Sequence, residues 1–266
     1  MPAISANGVS FHVQRLETTA RADTPTAVFV HGLVTDNLSS FYYTLAGPIV
    51  AAGARAVLYD LRGHGRSERP AAGYTTRDGV ADLAALLDAL EITGPVYLIG
   101  NSYGGLIATG LALAVPERVA GLVLIETACA GPVAAGWMED ILNTLTVAAL
   151  SLEHERTADL LRSAGQRKLA RLAAAADSLL NGTSLIEDLG THAPPDPAAL
   201  EAIGCPVLGV YGERSELRPA ADDLRRHVRD GRIEIIPGLA HTVLREATAL
   251  LCGIVLDWLP VRQAAS

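Results

Sequence analysis

Short runs of apolar, often β-branched residues punctuate the chain at 27–30, 56–59, 96–99, 122–125, 207–210 and 233–236. Each is bounded by glycine, proline or polar residues, as expected for strands buried on both faces. Residues 9–14 instead alternate apolar with polar side chains and suit an antiparallel strand at a sheet edge. Between the runs the period changes. Val80, Leu83, Leu87 and Leu90 recur at spacings of three and four, leaving Asp82 and Asp88 on other faces of a helix. Residues 106–115 and 243–258 carry similar helical patterns. Strands alternating with helices predict an α/β fold: a mostly parallel sheet with helices on both faces.

The alternation stops between about residues 131 and 197. This stretch has no strand pattern; it is rich in Ala and Leu with interspersed Glu and Arg, and ends in Ala193-Pro194-Pro195-Asp196-Pro197. The expected organisation is therefore one α/β core domain from 1–130 and 198–266, with a helical cap at 131–197 inserted in it. A chain of 266 residues is long enough for both.

Composition narrows the function. Half of the residues are hydrophobic and 19% are charged, too apolar a balance for a disordered chain. The net charge of −8 and the scattered basic residues exclude phosphate-backbone binding, so no nucleic-acid partner is expected. No apolar run approaches the roughly 18–20 residues that span a bilayer, so no membrane partner is expected either. Cys129, Cys205 and Cys252 show neither CxxC nor metal-like spacing. With an N-terminus that lacks a basic and then apolar leader, they point to reduced thiols in the cytoplasm.

The chemistry is carried by Gly100-Asn101-Ser102-Tyr103-Gly104, between the strand at 96–99 and the helix from Leu106. This is a G-x-S-x-G turn in the strand–turn–helix setting that a nucleophilic serine requires. Small residues flank the serine because the turn is tight, and the helix start directs N–H groups and its positive dipole end toward developing negative charge.

Together with His31-Gly32-Leu33 after the strand at 27–30, and Asp60-Leu61-Arg62-Gly63-His64-Gly65-Arg66-Ser67 after the strand at 56–59, this turn resembles the α/β-hydrolase superfamily. The resemblance runs from about residue 9 to 258 and is weakest across 131–197. It implies Ser102 as nucleophile and an oxyanion hole from the backbone N–H groups of Leu33 and Tyr103. It also implies an architectural role for the Asp60–Ser67 turn, so His64 is not nominated. His31 is read as a structural hydrogen-bonding residue. The base is expected after the last strand, where Gly238-Leu239-Ala240-His241 fits the family's G-x-x-H pattern. His12, His154, His192 and His227 match no motif and are read as surface histidines, with His154 and His192 as candidates for the pocket wall.

The acid departs from the family. Ser215 stands where most relatives carry aspartate, and a hydroxyl cannot stabilise imidazolium as a carboxylate does. Two carboxylates remain: Glu126, at a strand end that is the alternative acid position in some relatives, and Glu216. Glu126 is preferred.

A serine nucleophile favours acyl transfer, so the expected activity is hydrolysis of an ester, thioester or lactone without metal or cofactor. The substrate is expected to be a small molecule with an apolar acyl part, lodged against Trp137, Met138, Ile141, Leu142, Leu145 and Val147, unless these simply pack as core. The 38–43 segment, with Tyr42 and Tyr43, either approaches the pocket or anchors its own helix. Carbon–carbon hydrolysis of the meta-cleavage type, cofactor-free perhydrolysis, and a ligand-binding or cyclase-like member without net hydrolysis remain open beside it.

Overall fold

A computed structural model describes residues 3–17, 24–155 and 157–261; the side chains of residues 154 and 155, and so that of His154, lie outside the described set. The expected strands form, with the edge segment divided. Strands β1 (Ile4–Ala6) and β2 (Val9–Phe11) pair as a small antiparallel hairpin. Beyond His12 the chain continues as β3 (Val13–Leu16), antiparallel to β5 at the sheet edge. The rest of the sheet is parallel: β4 (Thr26–Val30), β5 (Arg55–Tyr59), β6 (Val96–Asn101), β7 (Val119–Ile125), β8 (Val207–Gly212) and β9 (Gly231–Ile236). The sheet order is β3-β5-β4-β6-β7-β8-β9. Winding reverses between β4 and β6, and the crevice beyond the carboxyl ends of strands at such a reversal is where open α/β sheets hold their ligands.

Helices cover both faces. A helical stretch runs through α1 (Ser39–Phe41), a π-helical turn at Tyr42–Ala46 and α2 (Gly47–Ala51). Helix α3 (Thr76–Ala89) opens with a capping box: Thr75 accepts from Asp78 N–H, and the Asp78 carboxylate takes the Thr75 N–H. Helix α4 (Tyr103–Ala114) follows β6 directly and is apolar almost all round, because it lies between the sheet and its neighbours. The final helical pattern is interrupted at Ala247, giving α10 (Val243–Glu246) and α11 (Thr248–Trp258). Two apolar clusters result, one on each side of the sheet; Phe29, Phe41 and Val255 lie in one, Val28, Tyr59 and Leu83 in the other.

Residues 131–190 fold as α5 (Gly131–Glu155), α6 (Thr157–Ser163), α7 (Arg167–Leu180) and α8 (Leu185–Gly190), with no strand among the described residues. A short 3-10 turn at Pro197–Ala202 leads into β8, and α9 (Ala220–His227) lies between β8 and β9. The helical segment is fastened to the loop before α3. Asp188 accepts from the N–H groups of Gly73 (3.1 Å) and Tyr74 (2.7 Å), and Ser184 N–H reaches Ala71 O at 2.9 Å. Leu179, Leu180, Leu185 and Leu189 are buried in the same cluster as Leu61, Tyr74 and Tyr103. No described helix is long and apolar enough to cross a membrane.

Candidate active site

The register of the parallel strands aligns the functional positions. Val30 pairs with Gly100, and Asn101 pairs with Ile125, so the residues that follow β4, β6 and β7 emerge side by side. Ser102 sits on the turn between β6 and α4 with φ 54° and ψ −123°. A non-glycine residue in this region carries strain of about 1–3 kcal/mol, which the surroundings must over-determine. They do so: Ser102 N–H donates to Ile125 O (2.8 Å), and Ser102 O accepts from Gly105 N–H (2.9 Å) and Thr127 Oγ1 (2.6 Å). The two glycines of the motif have steric reasons. A Cβ on Gly104 would overlap the carbonyl oxygen of Val30, and one on Gly100 would lie 2.6 Å from the Gly105 Cα. Only glycine lets the helix start close onto the strand ends.

His241 follows β9 on a loop held against the end of β8. Arg214 N–H donates to Leu239 O (2.8 Å), Glu213 N–H to Ile236 O (2.9 Å), and Gly238 N–H to the Glu213 carboxylate (2.9 Å). The imidazole Nε2 thereby lies 3.2 Å from Ser102 Oγ, close enough to accept the serine proton. The ring also faces Trp137 of α5, with centroids 6.2 Å apart.

Both candidate carboxylates lie within ion-pair distance of the other ring nitrogen, Nδ1, which is buried and makes no hydrogen bond among the described residues. Glu126 Oε2 is 3.4 Å from His241 Nδ1 and Glu216 Oε1 is 3.3 Å away. Their surroundings differ sharply. The Glu126 side chain is 1% exposed and the Glu216 side chain 57%. Glu126 takes φ 50° at the end of β7, and its N–H is tied to Val210 O at 3.0 Å. Its Oε1 accepts from Gly212 N–H, and its Oε2 accepts from the Ser215 hydroxyl. Ser215 Oγ in turn accepts from Leu217 N–H at 3.1 Å. The sequence reading missed this role. Ser215 fills the usual acid position not as an empty substitution but as a donor that orients the buried carboxylate beside it.

The remaining motif residues are architectural. His31 is fully buried; its Nδ1–H donates to Gly32 O (2.7 Å) and its Nε2 accepts from Leu61 N–H (2.9 Å). His64 uses both nitrogens likewise, with Arg62 O (2.8 Å) and Val34 N–H (2.8 Å). Burial lowers the pKa of His31, and burial with repulsion from His31 pushes that of His64 down to about 3, so both rings stay neutral. Asp60 accepts from the N–H groups of Leu38 (2.9 Å) and Arg66 (2.9 Å) and from His12 Nδ1 (2.8 Å), and Arg62 forms a two-pronged pair with Asp82. Among the described residues, no hydrogen bond outside the helices and strands has the Leu33 or Tyr103 N–H as its donor. Cys129, the buried thiol, is pushed up to about 11 by its burial and offers no competing nucleophile.

Ser102 and His241 open into a cavity of about 630 Å³. Trp137, Ile141, Leu145, Ala148, Leu152 and Leu180 make most of its wall apolar, while Asp140, Thr144 and Glu216 add polar groups. Other expected wall residues do not take part: Met138 packs into the core, Leu142 lies against it, and Val147 is exposed, because α5 turns only one face to the cavity. Tyr42 and Tyr43 line a separate surface cleft with His12 and Arg66. His192 contacts Thr76 rather than this cavity.

Several known proteins are similar to this chain. The alpha/beta hydrolase family profile matches residues 27–252. A Bacillus subtilis (strain 168) protein named "Putative 2-succinyl-6-hydroxy-2,4-cyclohexadiene-1-carboxylate synthase" is 30% identical over 223 residues, 77% of this chain and 81% of that one. The 2-hydroxymuconate semialdehyde hydrolase of Pseudomonas sp. (strain CF600) is 46% identical over 87 residues, 32% of this chain and 30% of that one. Among solved structures, the enol-lactonase from Burkholderia xenovorans LB400 superposes with a TM-score of 0.73 at 21% identity, covering 97% of this chain and 99% of that one. With a family match over most of its length and a doubly wound sheet presenting serine and histidine at its carboxyl edge, the chain belongs to the alpha/beta hydrolase family.

Proposed function

We propose that the protein hydrolyses an ester-like small molecule, an ester, thioester or lactone, through an acyl-enzyme on Ser102. The observation that carries this reading is the 3.2 Å approach of His241 Nε2 to the Oγ of a serine held at positive φ at the mouth of an apolar cavity. Ser102 Oγ attacks the carbonyl carbon as His241 Nε2 takes its proton. The oxyanion forms between the N–H groups of Leu33 and Tyr103, each such donor being worth about 3–4 kcal/mol in comparable enzymes. The bond to the leaving group then breaks, and His241 returns the proton to it. Water, deprotonated by the same nitrogen, releases the acid and restores the serine. Glu126 supplies the charge that orients the ring and stabilises the imidazolium; its burial and its two hydrogen-bond donors support it over the exposed Glu216. Residues 131–197 serve as the cap, whose α5 and α7 faces receive an apolar acyl group. The unpaired cysteines support a cytoplasmic setting for this chemistry.

Carbon–carbon bond hydrolysis is a second reading, favoured by the 46% identity to the semialdehyde hydrolase across 87 residues. One panel separates the two: p-nitrophenyl esters, acyl thioesters and ring-fission diketones, each run with wild-type protein and Ser102→Ala. Ester turnover lost in Ser102→Ala, with fluorophosphonate labelling of wild type alone, is the expected result. Turnover that survives Ser102→Ala overturns the nucleophile, and turnover confined to the diketones selects the second reading.

A further inference from the structure

Ser102 borders two cavities, one mainly apolar and one richer in polar side chains. The second is a smaller cavity of about 280 Å³ that shares Leu33, Thr35, Ser102 and His241 with the first. Its wall is mixed: Leu33 and Leu244 give it apolar surface, and its polar side chains come from separate segments, Asp36 and Ser40 after β4, Asn101 before the nucleophile, Thr242 and Arg245 after the histidine. Asp36 and Ser40 are partly committed. Asp36 accepts the N–H groups of Gly32 (2.8 Å) and Asn37 (2.9 Å), and the Ser40 hydroxyl donates to Asn37 O (3.0 Å). Among the described residues no hydrogen bond or ion pair engages the Asn101 amide, the Thr242 hydroxyl or the Arg245 guanidinium. The cavity thus offers several donors and acceptors near the reacting atom, with half-buried Asp36 as its anionic wall residue and exposed Arg245 as its cationic one.

We infer that this second cavity receives the alcohol portion of the substrate, and that this alcohol is a small, neutral, hydroxylated group such as a glyceryl unit. The inference rests on the ester-hydrolase reading and specifies its substrate as an amphiphile. Neutrality follows from the opposed charges: a carboxylate drawn to Arg245 meets Asp36, and an ammonium drawn to Asp36 meets Arg245. Hydroxyls pair with both, accepting from the guanidinium and amide and donating to the carboxylate. Orientation follows from the proton. The departing alkoxide takes its proton from His241 Nε2, and the segment continuing from His241 through Thr242 to Arg245 walls the second cavity. The C–O bond breaks with its electron pair on the alcohol oxygen, which leaves protonated among these side chains while the acyl chain stays in the apolar cavity.

The test compares glyceryl octanoate, propyl octanoate and octanoyl lactate as substrates for wild type, Arg245→Met and Thr242→Val. Wild type should prefer the glyceryl over the propyl ester by about tenfold in kcat/KM, the size expected of one or two net hydrogen bonds. That ratio should fall toward unity in both variants, through KM more than kcat. A wild-type ratio near unity, a ratio unmoved by either substitution, or a preference for the anionic lactate ester overturns the inference while leaving ester hydrolysis standing. Failure to hydrolyse any of the three overturns the parent reading as well.

Discussion

Replacing Glu126 with glutamine isolates the charge beside His241 with little change of shape. At 3.4 Å and an effective dielectric of about 20, a carboxylate and an imidazolium attract by about 5 kcal/mol. The imidazolium exists only once the serine proton has moved, so the loss falls on the transition state, a drop in kcat of roughly three to four powers of ten. The hydrogen bonds add a second reason. Gly212 N–H must donate to the residue at 126, which turns the glutamine oxygen toward it and the amide NH2 toward Ser215 and His241. An NH2 facing Nδ1 makes that nitrogen an acceptor and puts the ring proton on Nε2, the atom that has to receive the proton of Ser102. Glu216 lies at 3.3 Å but is 57% exposed; in water-like dielectric the same pairing is worth about 1 kcal/mol, and Glu216→Gln should cost less than about tenfold. Steady-state hydrolysis of one p-nitrophenyl ester by both variants measures the contrast, with urea midpoints confirming that Glu126→Gln is folded. Loss of less than about tenfold in Glu126→Gln, or of more than about a hundredfold in Glu216→Gln, refutes the reasoning.

The double variant Glu126→Gln/Ser215→Asp should recover part of the lost kcat, since the Ser215 side chain already touches Glu126 Oε2 beside the histidine; Ser215→Asp alone, with two carboxylates in contact, should be less active than wild type, and activity of the double variant no higher than that of Glu126→Gln refutes this. Stability should decline in acid because His31 and His64 are held neutral by burial, His64 with its pKa at about 3. Unfolded histidines titrate near 6.5, so the unfolded chain gains protons first: the stability is fully present above about pH 6.5 and is lost as pH falls toward 3, at up to about 1.4 kcal/mol per pH unit per histidine. Urea midpoints that stay level between about pH 6.5 and 5, a window above most carboxylate titration, refute it.

The sequence by itself determined whatever depends on local pattern. The parallel strands appear as continuous apolar runs because both of their faces are buried, and the elbow is legible because only glycine permits backbone approach at Gly100 and Gly104. Ser102 was legible because its turn follows directly from the end of β6, and His241 because its G-x-x-H loop comes soon after β9. The division of the edge strand at His12 was not legible, nor was the break at Ala247, since apolar periodicity runs across both. The wall of the large cavity was half legible: helical spacing gives a face of α5, but packing decided that Trp137, Ile141 and Leu145 look inward while Val147 faces water. The acid needed tertiary structure altogether. Glu126 and Glu216 are ninety positions apart in sequence and equidistant from one nitrogen in space. What separates them is burial and the Ser215 hydroxyl, and both arise only when β7 and β8 lie side by side.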